Sequence, residues 1–303
     1  MNKTLLAIAA ALLCAATGAR AAPEMPAPLP ATALTAAPTT TEALGDKGFS
    51  YFIGLSQLHS HYREDVHLMP IRSKVTASSP LLVTGALYAV TPDWLLSLDN
   101  ETTFAPRAAT ETWTATGPVV AGVAVTSPTL QTDQFRLSES RTRLLVHRRW
   151  QDQVFLLGGT EFHSQSFRRY AYQSGPDGLV SIASGQTSEE TAAEVVLALG
   201  AAIESESVRR QPQHYSLRAM VGVPVWRRVE STSAPQTRFT GLGGYDLMLE
   251  ARYSRAVLDD VHLGGWVKLS RSERARDTAG ASLELPRSRL DGLAVGLELL
   301  WKL

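Results

Sequence analysis

The chain has 303 residues, with 29 basic and 29 acidic side chains, 7 histidines and 1 cysteine. Balanced charge excludes the basic field that attracts nucleic acid, and a single cysteine excludes a disulfide framework or a cysteine-rich metal site. A mean hydropathy of -0.05, with no apolar run of roughly 20 residues beyond the amino terminus, excludes a bundle of membrane-crossing helices. It does not exclude a membrane barrel, in which only half of each strand faces lipid.

The first element is a leader. Lys3 is followed by the unbroken apolar stretch Leu5 to Ala16, and Ala19-Arg20-Ala21 is a small-x-small cleavage site. Residues 1–21 are therefore expected to be a secretory signal peptide, cut near Ala21. Cys14 lies inside it, and Leu13 is too large for a lipoprotein signal, so the mature chain is expected to lack thiols. Residues 22–47, with Pro23, Pro26, Pro28, Pro30 and Pro38 among Ala and Thr, predict an extended periplasmic linker. Neither cofactor nor metal is expected.

From Gly48 to Leu303 the pattern is strand-like. Two strands are expected near 48–62 and 80–90, apolar on both faces in part. Trp94, Leu96 and Leu98 then alternate with Ser97, Asp99 and Glu101. Val195 to Ile203 alternate with Glu194 to Glu204. Tyr215, Leu217, Ala219, Val221, Val223 and Val225 alternate with Ser216, Arg218, Met220, Gly222 and Trp226. Tyr245 to Tyr253 and Leu263 to Leu269 continue this, and Leu293, Val295, Leu297, Leu299, Trp301 and Leu303 form one apolar face of the last strand. Period-two alternation gives each strand one apolar side.

Short connections (91–93, 149–152, 205–212, 259–260) alternate with long ones (64–79, 105–133, 172–189, 230–244, 275–287). That asymmetry predicts an all-β, closed antiparallel transmembrane barrel, with tight periplasmic turns, longer external loops and both termini periplasmic. About ten strands are expected, or twelve if residues 112–126 supply a spanning pair. A hairpin rising above the membrane is preferred there, because its apolar runs are short. A soluble β-sandwich explains the alternation but not the loop asymmetry. It also fails to explain Trp94, Tyr215, Tyr245, Tyr253 and Trp301 near strand ends, where they suit the aromatic belts of a membrane interface.

The inward faces carry both signs of charge. Asp99, Glu101, Glu139, Arg141, Arg143, Glu161 and His163 come from the first half, and Glu194, Arg218, Asp246, Glu250, Arg252, Lys268 and Glu298 from the second. Charges inside so narrow a bore must pair. A lumen closed by ion pairs is thus expected ahead of a narrow channel.

Residues 48–303 resemble the small outer-membrane β-barrels of Gram-negative bacteria. Asp99-Asn100-Glu101 and Glu161-Phe162-His163 further resemble the omptins, outer-membrane proteases whose rim carries an acidic pair and an Asp-His pair. That resemblance implies a surface hydrolase using Asp99, Glu101, Glu161 and His163. His59-Ser60-His61 and His163-Ser164-Gln165-Ser166 lack the His-x-Ser spacing of the lipid A deacylases. His59 and His61, with Glu64, Asp65 and His67 beyond them, are expected to be a solvated basic cluster. Arg148-Arg149-Trp150 is expected in a periplasmic turn, against lipid phosphates or a partner. The function expected first is a non-enzymatic barrel of the envelope or of a secretion or export system. It would be a narrow porin-like channel or an anchor for a periplasmic partner, and the omptin-like hydrolase is the alternative. Expected partners are outer-membrane lipid, lipopolysaccharide, the barrel-assembly machinery and an envelope or export protein.

Overall fold

The computed structural model describes residues 48–177, 185–205, 212–280 and 283–302. The expected signal peptide, the expected linker and Leu303 lie outside the described residues. Every described regular element is a strand. β1 (Phe49–Val66) turns tightly at 67–70 into β2 (Ile71–Thr91). β3 (Trp94–Thr103) and β4 (Ala108–Ala115) are broken at 104–107, where Ala105 adopts a φ of 54°. β5 (Val119–Val120) and β6 (Val123–Ala124) make a short hairpin.

The wall continues through β7 (Thr129–Gln151), β8 (Val154–Ser174), β9 (Thr187–Glu204) and β10 (Gln213–Ser231). β11 (Arg238–Phe239) pairs only with the far end of β10. β12 (Gly244–Leu258) and β13 (Val261–Arg274) follow. The hairpin of β14 (Asp277–Ala279) and β15 (Leu283–Leu285) comes next, then β16 (Arg287–Lys302).

The ring runs β1, β16, β13, β12, β10, β9, β8, β7, then β3 and β4 sharing one place, then β2, which pairs with β1. Every pairing is antiparallel, so the sheet closes with ten wall positions and no free edge. A sandwich of two open sheets is ruled out. So is the twelve-strand option, because residues 112–126 supply the end of β4 and the β5–β6 hairpin. Residues 64–79, expected as a loop, are instead strand on either side of the 67–70 turn: β1 and β2 pair from Phe49–Tyr88 to Val66–Ile71. Their exposed faces there are polar, so they carry no lipid-facing signal for periodicity to find.

One end of the barrel carries tight turns and is called the turn end; the other is the loop end. Outward positions near the turn end are apolar and exposed, as with Leu199 (58%), Val221 (48%) and Leu297 (67%). Towards the loop end the same faces become polar: Gln57, His59, His61 and Arg63 on β1, Arg271 and Glu273 on β13, and Asp291, Arg289 and Arg287 on β16. A tilted strand crosses a bilayer in about 9–11 residues. β1, with 18 residues, and β7, with 23, therefore extend well past the apolar band.

Alternation is broken once on β10. A bulge between Pro224 and Trp226 shifts the register against β9, leaving Trp226 48% exposed and turning Arg227 inward. Trp226 thus leaves the inward set in which strict alternation placed it. One extra residue in a strand swaps every later side chain to the other face.

Inside, Phe52, Leu58, Leu81, Val83, Trp266, Ala294 and Leu300 pack on the β1–β2–β13–β16 side. Leu145, Phe155, Leu157, Ala198, Ala202 and Met220 pack on the opposite side. Gly85 faces in so that the Phe52 ring can lie against its backbone; a Cβ there would sit 2.5 Å from the ring. Between these clusters runs a layer of charge.

Candidate functional site

The charged layer is built by inward positions of strands that face each other across the bore. On β3, Asp99 accepts from Arg218 Nη1 of β10 at 3.1 Å, and Glu101 accepts from Arg143 Nη1 of β7 at 3.1 Å. Lys268 of β13 also donates to Glu101. Arg143 Nε donates to Glu161 of β8 at 2.5 Å, and Arg141 Nη1 donates to its other oxygen at 3.0 Å. Arg141 also binds Glu139 and approaches Asp246 of β12 at 3.8 Å. Arg252 donates to Glu250 at 2.7 Å and to Glu298 of β16 at 2.9 Å, with its guanidinium 4.5 Å from the centre of the Phe52 ring. Glu194 accepts from Arg227 at 2.8 Å.

The hydrogen bonds from β10 to β3 and from β13 to β3, with the longer ion pair from β7 to β12, cross the lumen and tie opposite walls together. Arg143, Glu101 and Lys268 are 3–4% exposed, so these charges are nearly stripped of water. Removal from water costs several kcal/mol per ion unless each finds partners, and here Asp99, Glu101, Glu161 and Glu250 do. The residual space beside Arg141, Arg143, Glu161 and Asp246 is a cavity of about 20 Å³. That is room for roughly one water molecule.

His163 lies among these groups with neither ring nitrogen hydrogen-bonded, and its Nε2 is 3.8 Å from Glu139. Asp99, Glu101, Glu161 and His163 therefore sit at mid-wall and not at the rim. All three acids are committed to arginine or lysine. The sequence spacing correctly puts each pair on one strand face but carries no information on what the opposite wall supplies.

Nearer the loop end a second polar group stands above the first. Arg169 of β8 binds Glu64 at 2.7 Å and Glu111 at 2.6 Å, and Tyr62 donates to Glu64 at 2.8 Å. Tyr62, Phe135 and Phe167 pack beside it with ring centres 4.9 to 5.7 Å apart. Asp133 of β7 faces Glu111 directly across the ladder. Trp113 Nε1 donates to its Oδ2 at 2.9 Å, while its Oδ1 is buried without a partner. Arg274 of β13 reaches Glu190 of β9 at 2.8 Å. None of these pairings was expected: Glu64, Glu111, Trp113 and Asp133 lie in stretches that read as loops, and the partners of the others stand on walls that adjoin only in the closed ring.

Of the smaller sequence clusters, His59 and His61 face outward, with His61 Nδ1 3.1 Å from Thr76 Oγ1. Glu64 points inward and Asp65 outward to Arg63 and Arg72, so that cluster divides between two faces. Arg148 and Arg149 belong to the end of β7. Arg148 lies 5.5 Å from the Trp94 ring, and Arg149 donates to the Pro92 carbonyl at 3.0 Å. Trp301 stacks on Tyr51 at 5.0 Å, Tyr253 pairs with Tyr215 across β10 and β12, and Tyr245 donates to Glu273 at 3.4 Å.

No known family profile and no characterised protein matches the chain in sequence. Solved structures do match. The outer membrane protease OmpT of Escherichia coli superposes with a TM-score of 0.60 at 11% identity, covering 84% of this chain and 97% of that one. The translocator domain of the autotransporter NalP from Neisseria meningitidis gives 0.39 at 10% identity, covering 84% and 88%. OprG from Pseudomonas aeruginosa gives 0.33 at 9%, covering 85% and 96%. At such identities the likeness is one of fold. The closed ten-position ring, its exposed apolar band and the superposition on OmpT together make this chain a small β-barrel of the outer-membrane type, without assigning it to a particular family.

Proposed function

We propose that this protein resides in the outer membrane of a Gram-negative cell as a closed, non-conducting barrel. Its turn end would lie in the periplasm, and its polar extension and loops would stand outside as a contact surface for an envelope or export partner. The observation that supports this most is the set of cross-lumen ion pairs, with about 20 Å³ left beside Arg141, Arg143, Glu161 and Asp246. An ion passing through would have to break Lys268–Glu101 or Arg218–Asp99 and leave a buried charge unpaired, at a cost of about 3–5 kcal/mol.

The outward apolar band supports a lipid surrounding, since a water-exposed surface of that kind is a strong association hazard. A protease centred on Asp99, Glu101, Glu161 and His163 is disfavoured. Its acids are neutralised by Arg141, Arg143, Arg218 and Lys268, and His163 has no hydrogen bond to orient it. Planar bilayers test the closed bore. The reconstituted full chain is expected to give no steady conductance at any applied voltage, and stable unitary currents would overturn the proposal.

A further inference from the structure

The outer wall carries a groove of about 870 Å³ that runs from β9 to β2. Its upper row is Leu199, Val221, Leu247, Arg271, Asp291 and His61, each the ladder partner of the next. Its lower row is Ala219, Leu249, Leu269, Leu293 and His59, paired in the same way. The leucines and Val221 are 39–58% exposed, so the groove opens outward and not into the bore. Strands of a barrel tilt, so a row of ladder partners climbs the wall. At β9 and β10 the groove lies in the apolar band. At β16, β1 and β2, where His61 meets Thr76, it reaches the polar extension.

One outward position further along the strands, three cations face one another. Arg63 of β1 stands opposite Lys74 of β2 on one side and Arg289 of β16 on the other. Like charges directly opposed across a ladder are destabilising. The nearby carboxylates do not cancel them. Asp65 is shared by Arg63 and Arg72, and Asp291 by Arg271 and Arg289. Glu273, next along the row, binds Arg287 at 2.6 Å. Lys74 is exposed and has no carboxylate partner among the described residues. An excess of positive charge therefore sits where the apolar groove ends, and Arg63 and Arg289 are 37% and 40% exposed to whatever would neutralise it.

An apolar groove leading to an unneutralised cationic row fits an anionic amphiphile. A phosphate diester brings one negative charge, whereas a phosphate monoester brings up to two and three acceptor oxygens. Three adjacent cations match the monoester. We propose that this wall is the docking site of one phosphorylated acyl glycolipid of the lipopolysaccharide kind. Its phosphate monoester accepts from Arg63, Lys74 and Arg289, and an acyl chain descends the groove against Leu293, Leu269, Leu249 and Val221. The proposal rests on the membrane placement argued above and names the lipid at its outer boundary. It asks nothing of the bore.

The test uses the full chain folded in a non-ionic detergent, with unheated gel mobility as the check on folding. The probe is fluorescent bisphosphorylated lipid A, displaced by unlabelled lipid A or by phosphatidylglycerol. One lipid A is expected per chain, displaced at least ~10-fold more readily by lipid A than by the phosphodiester lipid. The combined variant Arg63→Gln, Lys74→Gln and Arg289→Gln is expected to bind at least ~10-fold more weakly, the worth of one charge-assisted hydrogen bond. Ala219→Trp, which fills the groove from an exposed position, is expected to weaken binding several-fold. Raising salt from about 0.1 M to about 1 M shortens the screening length from about 10 Å to about 3 Å, and should weaken binding to the wild type without any substitution. A folded chain that binds no lipid A, binds phosphatidylglycerol as well, or is unaffected by the combined variant and by salt overturns the site and leaves the membrane placement standing. A chain that partitions with soluble protein and enters no bilayer overturns both.

Discussion

Arg143 stands between Glu101 at 3.1 Å and Glu161 at 2.5 Å with 4% of its side chain exposed. Its aliphatic isostere Met would leave two buried carboxylates with one cation fewer. Removing one partner of a buried ion pair costs about 3–5 kcal/mol. Arg143→Met is therefore expected to lower the unfolding midpoint in urea, measured by loss of unheated gel mobility, by the equivalent of about 3 kcal/mol. An outward substitution of similar size, Leu297→Ala, should cost less, because lipid contacts are exchanged for lipid contacts. Asp133 is the converse case. It faces Glu111 with one oxygen unpartnered, and Arg169 is already engaged by Glu111 and Glu64. Asp133→Asn removes a like charge and still accepts from Trp113, so the midpoint is expected to rise by about 1 kcal/mol. A fall would mean that Asp133 has a cationic partner in solution. Neither site was legible as a pair in the sequence: Arg143 and Glu101 are plainly inward by alternation, but Glu111 and Asp133 sit in a stretch whose outward face is polar.

At the scale of elements, alternation locates a strand only where one face meets lipid or core and the other does not. β9, β12, β13 and β16 satisfy this and were legible almost residue by residue. The upper halves of β1, β2, β7 and β8 are polar outside, so they merge with loops, and the bulge on β10 re-aims Arg227 without any local turn signal. The loops themselves are pinned by single carboxylates. Glu284 of β15 accepts the backbone N–H groups of His67 and Leu68 at 2.9 and 2.7 Å, holding the β1–β2 turn. Asp177 accepts from the Thr126 hydroxyl and from the N–H groups of Thr126 and Ser127, tying the 125–128 segment to the end of β8. The Thr126 hydroxyl, the largest influence, and these N–H donors hold the Asp177 carboxyl below the usual aspartate range. A lowered folded value means that the tie is complete above the ordinary aspartate pKa of about 4 and is lost as pH falls through the folded value. Amide exchange at Thr126 and Ser127, corrected for intrinsic rates, is expected to accelerate only at acid pH. Asp177→Asn should flatten that response, and unchanged protection down to the acid limit would show that the tie does not titrate.

At the scale of the whole molecule, two groups of side chains reach between the walls: the ion-pair layer at mid-wall and the Tyr62–Phe135–Phe167 cluster nearer the loops. Contact between walls comes from arginines long enough to cross the bore, which is why so many of the inward cations are arginine. A planar guanidinium serves two carboxylates at once where an ammonium serves as a point charge.

Strand character, the apolar band and the mixed charge of the interior were all determined by the sequence, because each depends on a residue and its neighbours two positions away. The closed ring of ten places, the shared position of β3 and β4, and the pairing of Asp99 with Arg218 or Glu101 with Lys268 were decided only by the tertiary structure. Those partners stand on walls that meet only after the sheet has tilted and closed, and the stagger that sets which inward side chains share a level is a property of the ring as a whole.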